Sequence, residues 1–276
     1  MGWRGYIDPS RKTVFFWSQK AACTTLFNLL ADNMAERPTS KKHFHTESDA
    51  YPGCLRALEQ GYRSVILVRA PATRTISAYF NKFCVYNGKS LKTRDDLEPF
   101  AQELFDLFRA RTGQESCDNL MSFEDYLDTV AALHAARPEP GAPVNGHWDT
   151  QIPAFLAANP GFRYDHVVHV ENFDAEMQAL AEPLNLRINP RQMNRTPVAD
   201  SNRHRGYLGR VPARDVASYA FGYRNFQNFA TMSQIEAIYG VDYDSFGYAR
   251  DAGRYRTLRD RMRQLARRLR NRLRKR

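Results

Sequence analysis

The sequence predicts a three-layer α/β protein, a central parallel sheet flanked by helices, and three observations carry that expectation. Thr13–Trp17 is a short β-branched and aromatic run, followed by the small polar stretch 18–22 and an apolar-periodic segment over 24–34. Arg63–Val68 ends in the continuous apolar run of a strand covered on both faces, with Pro71 placed where a helix begins. Residues 166–170 form a third such run, followed by helical spacing over 173–184. Strand–helix units in this order give parallel neighbours joined by crossover helices.

The remaining segments fit around these units. Residues 41–51 are polar and read as loop or short edge structure. Helical patterns recur at 96–111 and 122–136, the second opened by Ser122 with Asp125 three positions on, an N-cap arrangement. The Pro-rich stretch 137–143 reads as a surface loop, and 189–210, rich in Asn and Arg with little periodicity, as a long loop. A helix at 233–239 and the segment 242–248 close the body, giving one domain over 1–249.

Charge is unevenly distributed. The 276 residues hold 40 Lys and Arg against 30 Asp and Glu, a net of +10. Twelve Arg and one Lys against two Asp fall within 250–276, a net of +11, so the body is near −1. A neutral body argues against nucleic-acid binding, which spreads basic residues over a face of the fold. In the tail, Leu258, Met262, Leu265, Leu269 and Leu273 line one face of an Arg-clothed helix, a basic amphipathic pattern suited to an anionic membrane surface, a helix partner or a polyanionic glycan. No run is long and apolar enough to span a membrane, the N-terminus lacks the apolar core of a signal peptide, and Cys23, Cys54, Cys84 and Cys117 form no CxxC pair. The expected location is the cytoplasm, with the tail able to rest on the inner face of the membrane.

Two strand–helix junctions carry the chemistry. Helix N-termini after strands favour anions through unpaired N–H groups and the helix dipole. Lys20, Ala21, Ala22, Cys23, Thr24 and Thr25 occupy such a junction after the first strand, offering a cation, two hydroxyls and small residues that let a ligand approach the backbone. Arg69 stands at the tip of the second strand, with Ser77 two helical turns on, so the pair can address a phosphate from two sides. The first loop is not a Walker A motif and the second strand does not end in the Asp that holds Mg²⁺ in P-loop NTPases, so no metal is expected. Two anion sites without metal ligands suggest a nucleotide with phosphates at both ends.

These segments resemble the sulfotransferases that use 3′-phosphoadenosine 5′-phosphosulfate (PAPS), in particular the carbohydrate branch and the uronyl and heparan 2-O-sulfotransferases. Gln19–Thr25 is similar to their loop P-K-x-G-C-T-S/T at Lys20, Cys23, Thr24 and Thr25, and departs from it at Gln19 and Ala22. Val68–Phe83 is similar to V-R-D/E/H-P-x-x-R-x-x-S-A-Y/F-x-x-K-F except at Ala70. His147–Gln151 resembles H-W-x-x-Q, and Asp242–Tyr248 resembles the closing D-F-x-x-F-G-Y. The resemblance implies a P-loop-like fold and a member from a bacterium, since the Golgi anchor of the eukaryotic relatives is missing. It also implies that residues 20–25 hold the 5′-phosphosulfate while Arg69 and Ser77 hold the 3′-phosphate, and that Arg74 packs within the fold. The reaction implied is in-line transfer of the sulfuryl group to a hydroxyl, or less favourably an amine, of a carbohydrate or glycolipid, with PAP leaving and Lys20 stabilising charge on the bridging oxygen.

A base must take the acceptor's proton, and neutral histidine suits the task. His45 is the candidate the resemblance favours, with His43 as its alternative or as a substrate contact, while His147 and Trp148 are expected to line the acceptor site. His166 and His169 read as satisfied strand residues, and Asn194, Arg195, Arg203, His204 and Arg205 as solvated loop charges. Two other readings stay open: a nucleotide or small-molecule kinase, and a non-catalytic module binding acidic glycans or membranes through the tail.

Overall fold

The computed structural model describes residues 3–40, 42–45, 47–139, 141–188 and 204–256, so the tail stripe and Asn194, Arg195 and Arg203 lie outside the described residues. Strands β1 (Arg4–Asp8), β2 (Thr13–Trp17), β3 (Asp49–Ala50), β4 (Arg63–Val68) and β7 (His166–His169) build one sheet in the order β3-β1-β2-β4-β7. β5 (Val85–Tyr86) and β6 (Lys89–Ser90) form a separate hairpin. β2, β4 and β7 run parallel, as the strand–helix units require. The sheet as a whole is mixed, correcting the all-parallel expectation, because β1 pairs antiparallel with both β2 and β3. β1, Arg-Gly-Tyr-Ile-Asp, gives no strand signal by itself; its conformation comes from pairing with β2.

Helices cover both faces. α1 (Cys23–Asp32), the short α2 (Lys42–His45) and α8 (Phe173–Ala179) pack on Phe15, Trp17, Val65 and Leu67. α3 (Tyr51–Glu59), α7 (Ala154–Ala157) and α11 (Gly240–Phe246) pack on Val14, Phe16, Ile66 and Val68. The alternation along β4 shows why its sequence is apolar throughout: successive side chains enter different cores. α3 begins where the polar segment 41–51 ends and buries Tyr51, Cys54 and Ala57 at three-residue spacing. Gly5 permits its close approach to β1, since a Cβ there would stand 2.8 Å from Cys54 Sγ.

A helical body completes the fold. α4 (Pro71–Tyr79), α5 (Pro99–Thr112), α6 (Phe123–Ala135), α9 (Ala213–Val216) and α10 (Phe229–Ile238) enclose an aromatic core around Tyr79, Phe83, Phe123, Tyr126 and Phe226. Ser122 caps α6 through the Asp125 N–H, with the reciprocal bond from Asp125 closing a capping box. α4 runs into a π-helical turn at Phe80–Cys84, which projects Lys82. None of the described helices is long and apolar enough to cross a membrane.

One buried cation ties the loops together. Arg74 is 0% exposed, and its guanidinium donates to the carbonyls of Gln19 (2.9 Å), Asp149 (2.8 Å) and Gly146 (2.8 Å). Truncation would orphan three acceptors, each worth about 1–3 kcal/mol when buried and unsatisfied. Arg74→Leu is therefore expected to destabilise the protein by at least about 3 kcal/mol in urea unfolding, and a loss below about 1 kcal/mol would contradict this role.

Candidate active site

β2, β4 and β7 end side by side, with Trp17 paired to Leu67 and Val68 to His169, so the loops after them leave one edge of the sheet. The loop after β2 turns tightly into α1. Lys20 and Ala22 take left-handed backbone angles, φ 67° and φ 51°. Only glycine adopts these without steric penalty. Ala22 is the N-cap of α1 and offers no side-chain acceptor, so Cys23 and Thr24 begin the helix with N–H groups that have no intrahelical partner. Cys23, Thr24 and Thr25 are half-buried, and burial pushes the Cys23 thiol up.

The two strand tips are joined directly. Arg69 donates from Nη1 to the Lys20 carbonyl (3.1 Å), from Nη2 to the Tyr223 hydroxyl (2.8 Å) and from Nε to Thr73 Oγ1 (3.2 Å). The Gln151 side chain adds a second clasp. Its Oε1 accepts from the Ser18 hydroxyl and the Arg69 N–H, both at 2.9 Å, and its Nε2 donates to the Arg69 carbonyl at 2.9 Å. The Gln151 N–H in turn donates to Asp242 Oδ1 (2.7 Å), whose carboxyl burial raises to about 7. Segments read separately in the sequence thus meet around the same two loops. Ser77 lies in α4 and is 5% exposed.

Cations outnumber anions here. Burial first and then the neighbouring ammonium of Lys82 lower the Lys20 pKa to about 8, with Cys23 opposing them and Arg69 (lowering) and Glu98 (raising) contributing less. Lys82 pairs with Glu98 at 2.5 Å and lies over the rings of Tyr86 and Phe100. A buried ammonium among like charges is the environment an anionic ligand relieves.

The histidines separate. Two apart on α2, His43 and His45 face different neighbours: His43 lies 6.1 Å from the Tyr6 ring on β1, while His45 stands edge-on to Phe27 of α1 at 4.7 Å. His45 and Lys20 are both among the charges that act on His147, so these three share one neighbourhood. His147 is half-buried and stacks on Phe100. Trp148 is corrected: at 1% exposed it belongs to the aromatic core beside Phe83 and Phe100 and cannot line an acceptor site. His169 accounts for both ring nitrogens, toward Glu176 (3.3 Å) and the Phe246 carbonyl (3.1 Å). His204 packs edge-on against Tyr219 at 4.9 Å, so it is more than a solvated loop charge.

A family model described as the sulfotransferase family matches residues 3–249. The chain belongs to the sulfotransferase family. No curated protein matches it, and neither does any solved structure. Membership supports sulfuryl transfer as the general activity and agrees with the α/β architecture. In this sulfotransferase, sequence reasoning left three residues without a role. Lys82 and Gln151 stood inside recognised segments and carried a usable signal. Tyr223 stood in none, and only the fold delivers it to Arg69.

Two expectations follow for the loop. Lys20 is charged below about pH 8 and neutral above it, so affinity for PAP, followed by calorimetry, should fall as pH rises through that value. Lys20→Arg should remove the fall, and an unchanged pH profile in that variant would exclude Lys20 as its source. Ala22→Gly, which releases about 1 kcal/mol of left-handed strain against a similar gain in unfolded-chain entropy, should leave urea stability unchanged or up to about 1 kcal/mol higher. Ala22→Val should lower it.

Proposed function

We propose that the protein transfers the sulfuryl group of PAPS to a hydroxyl of a carbohydrate or glycolipid acceptor and releases PAP. The observation that carries this reading is the Arg69 guanidinium on the Lys20 carbonyl, which sets two anion-binding strand tips against each other at the edge of the sheet. The donor set suits a nucleotide with phosphate at both ends: the Lys20 loop with its open helix N-terminus for the phosphosulfate, Arg69 and Ser77 for the 3′-phosphate. Lys20 supplies positive charge where the leaving oxygen becomes negative. Arg69 has its hydrogen bonds to Lys20 and Tyr223 to exchange for a phosphate. The acceptor's proton leaves to a histidine, for which the resemblance offers His45 and then His43.

A carbohydrate acceptor is supported by the motif resemblance and by an aromatic wall beside the site. Tyr86 is 39% exposed and adjoins Lys82, which also contacts Phe100, and Phe100 stacks on His147. Flat ring faces of this kind suit the apolar face of a sugar. We place the enzyme in the cytoplasm, its basic tail giving it affinity for an anionic membrane surface.

Lys20→Ala and Arg69→Ala should each weaken PAP binding about 10- to 100-fold in calorimetry, since each removes a charge-assisted contact worth about 1.5–3 kcal/mol. Mg²⁺-dependent ATP turnover with no thermal shift from PAP would instead favour a kinase.

A further inference from the structure

His147 is held at its backbone and at its ring by the same side chain. Asn145 Oδ1 accepts two hydrogen bonds from it, from the backbone N–H at 3.0 Å and from ring Nδ1 at 2.7 Å. A backbone N–H can only donate, so the amide oxygen of Asn145 faces the ring. Nδ1 must then carry the hydrogen, which leaves Nε2 as a lone-pair acceptor. The ring plane is fixed as well, by Phe100 stacked at 4.8 Å and 7°.

The ring is also fixed relative to Lys20. One guanidinium, that of Arg74, holds the carbonyls of Gln19 and Gly146, the residues immediately before Lys20 and His147. The two segments approach so closely that a Cβ on Gly146 would stand 3.0 Å from Gln19 Cγ. His45 sits on the four-residue helix α2 with its ring edge-on to Phe27.

We propose that His147 Nε2 receives the acceptor's hydroxyl and takes its proton during transfer, with Asn145 and Phe100 as positioning residues. This inference rests on the sulfuryl-transfer reading. The hydroxyl oxygen donates a lone pair to form the new O–S bond as the S–O bond to the 5′-phosphate breaks, and that bond's electron pair leaves with PAP. The hydroxyl hydrogen passes as a proton to Nε2, making an imidazolium that later releases it to water. In the free protein, burial first and then Lys82, Lys20, Arg74 and His45 push the ring's pKa down to about 2, so it is neutral at working pH. An anionic donor beside Lys20 offsets the cationic part of that shift, while the part due to burial remains.

Two measurements on the full chain test this. Nitrogen-15 spectra of the histidine side chains should show His147 with hydrogen on Nδ1, bare Nε2 and no titration between about pH 5 and 8. The opposite tautomer would overturn the proposal. PAP release from PAPS with water as acceptor should fall about 100-fold or more in His147→Ala and His147→Gln, with PAP affinity within about 3-fold of the parent. Asn145→Leu should lose turnover without losing PAP binding and should shift the pH–rate profile. Normal turnover in His147→Ala, with none in His45→Ala, would return the role to His45. Failure of the parent protein to bind PAP would strike the donor reading instead.

Discussion

The geometry of this site depends on a guanidinium that never meets solvent. Arg74 satisfies three carbonyls from two segments far apart in the chain, the loop entering α1 and the turn around Gly146 and Asp149. A lysine could not replace it, because one ammonium cannot present donors in a planar fork to three separated acceptors. Each acceptor is a backbone carbonyl, so the bonds set chain position rather than side-chain orientation. The strand tips, the Lys20 loop and the turn carrying His147 are aligned as a consequence.

Around that fixed point the protein tolerates unfavourable local states. Two residues other than glycine hold left-handed angles within three positions, and a lysine is buried near another lysine and an arginine. Such strain survives only where the surroundings over-determine the conformation. Gln151 and Arg69 provide that redundancy, since four hydrogen bonds from the two residues bridge the loop after β2 and the tip of β4. Crowded cations and open N–H groups become useful when an anion enters, because preorganised charge need not rearrange during transfer.

The motifs acquire distinct physical duties in the fold. His147–Gln151 contributes a half-buried ring, a core indole and a buried amide from five consecutive residues, with Asp149 pairing to Arg137 at 2.6 Å. The closing segment supplies Asp242, which anchors the Gln151 backbone. Specific short segments can therefore be read in the sequence while the work of each side chain within them cannot.

Local pattern determined much of this protein. β2, β4 and β7 and the capped α6 were legible, because each follows from hydrophobic period or capping chemistry over a few residues, and the family resemblance placed Arg74 within the fold. Helix ends were legible only approximately: α8 stops at Ala179 and α10 starts at Phe229, where turns and the Asn228 cap intervene. Tertiary structure alone decided the antiparallel β1 and β3 edge, the helix at Tyr51–Glu59, the burial of Trp148 beside a half-buried His147, and the meeting of Arg69 with Tyr223. These depend on which partner a strand, ring or guanidinium finds across tens of residues, and periodicity along a chain records that a side chain is buried without recording what it is buried against.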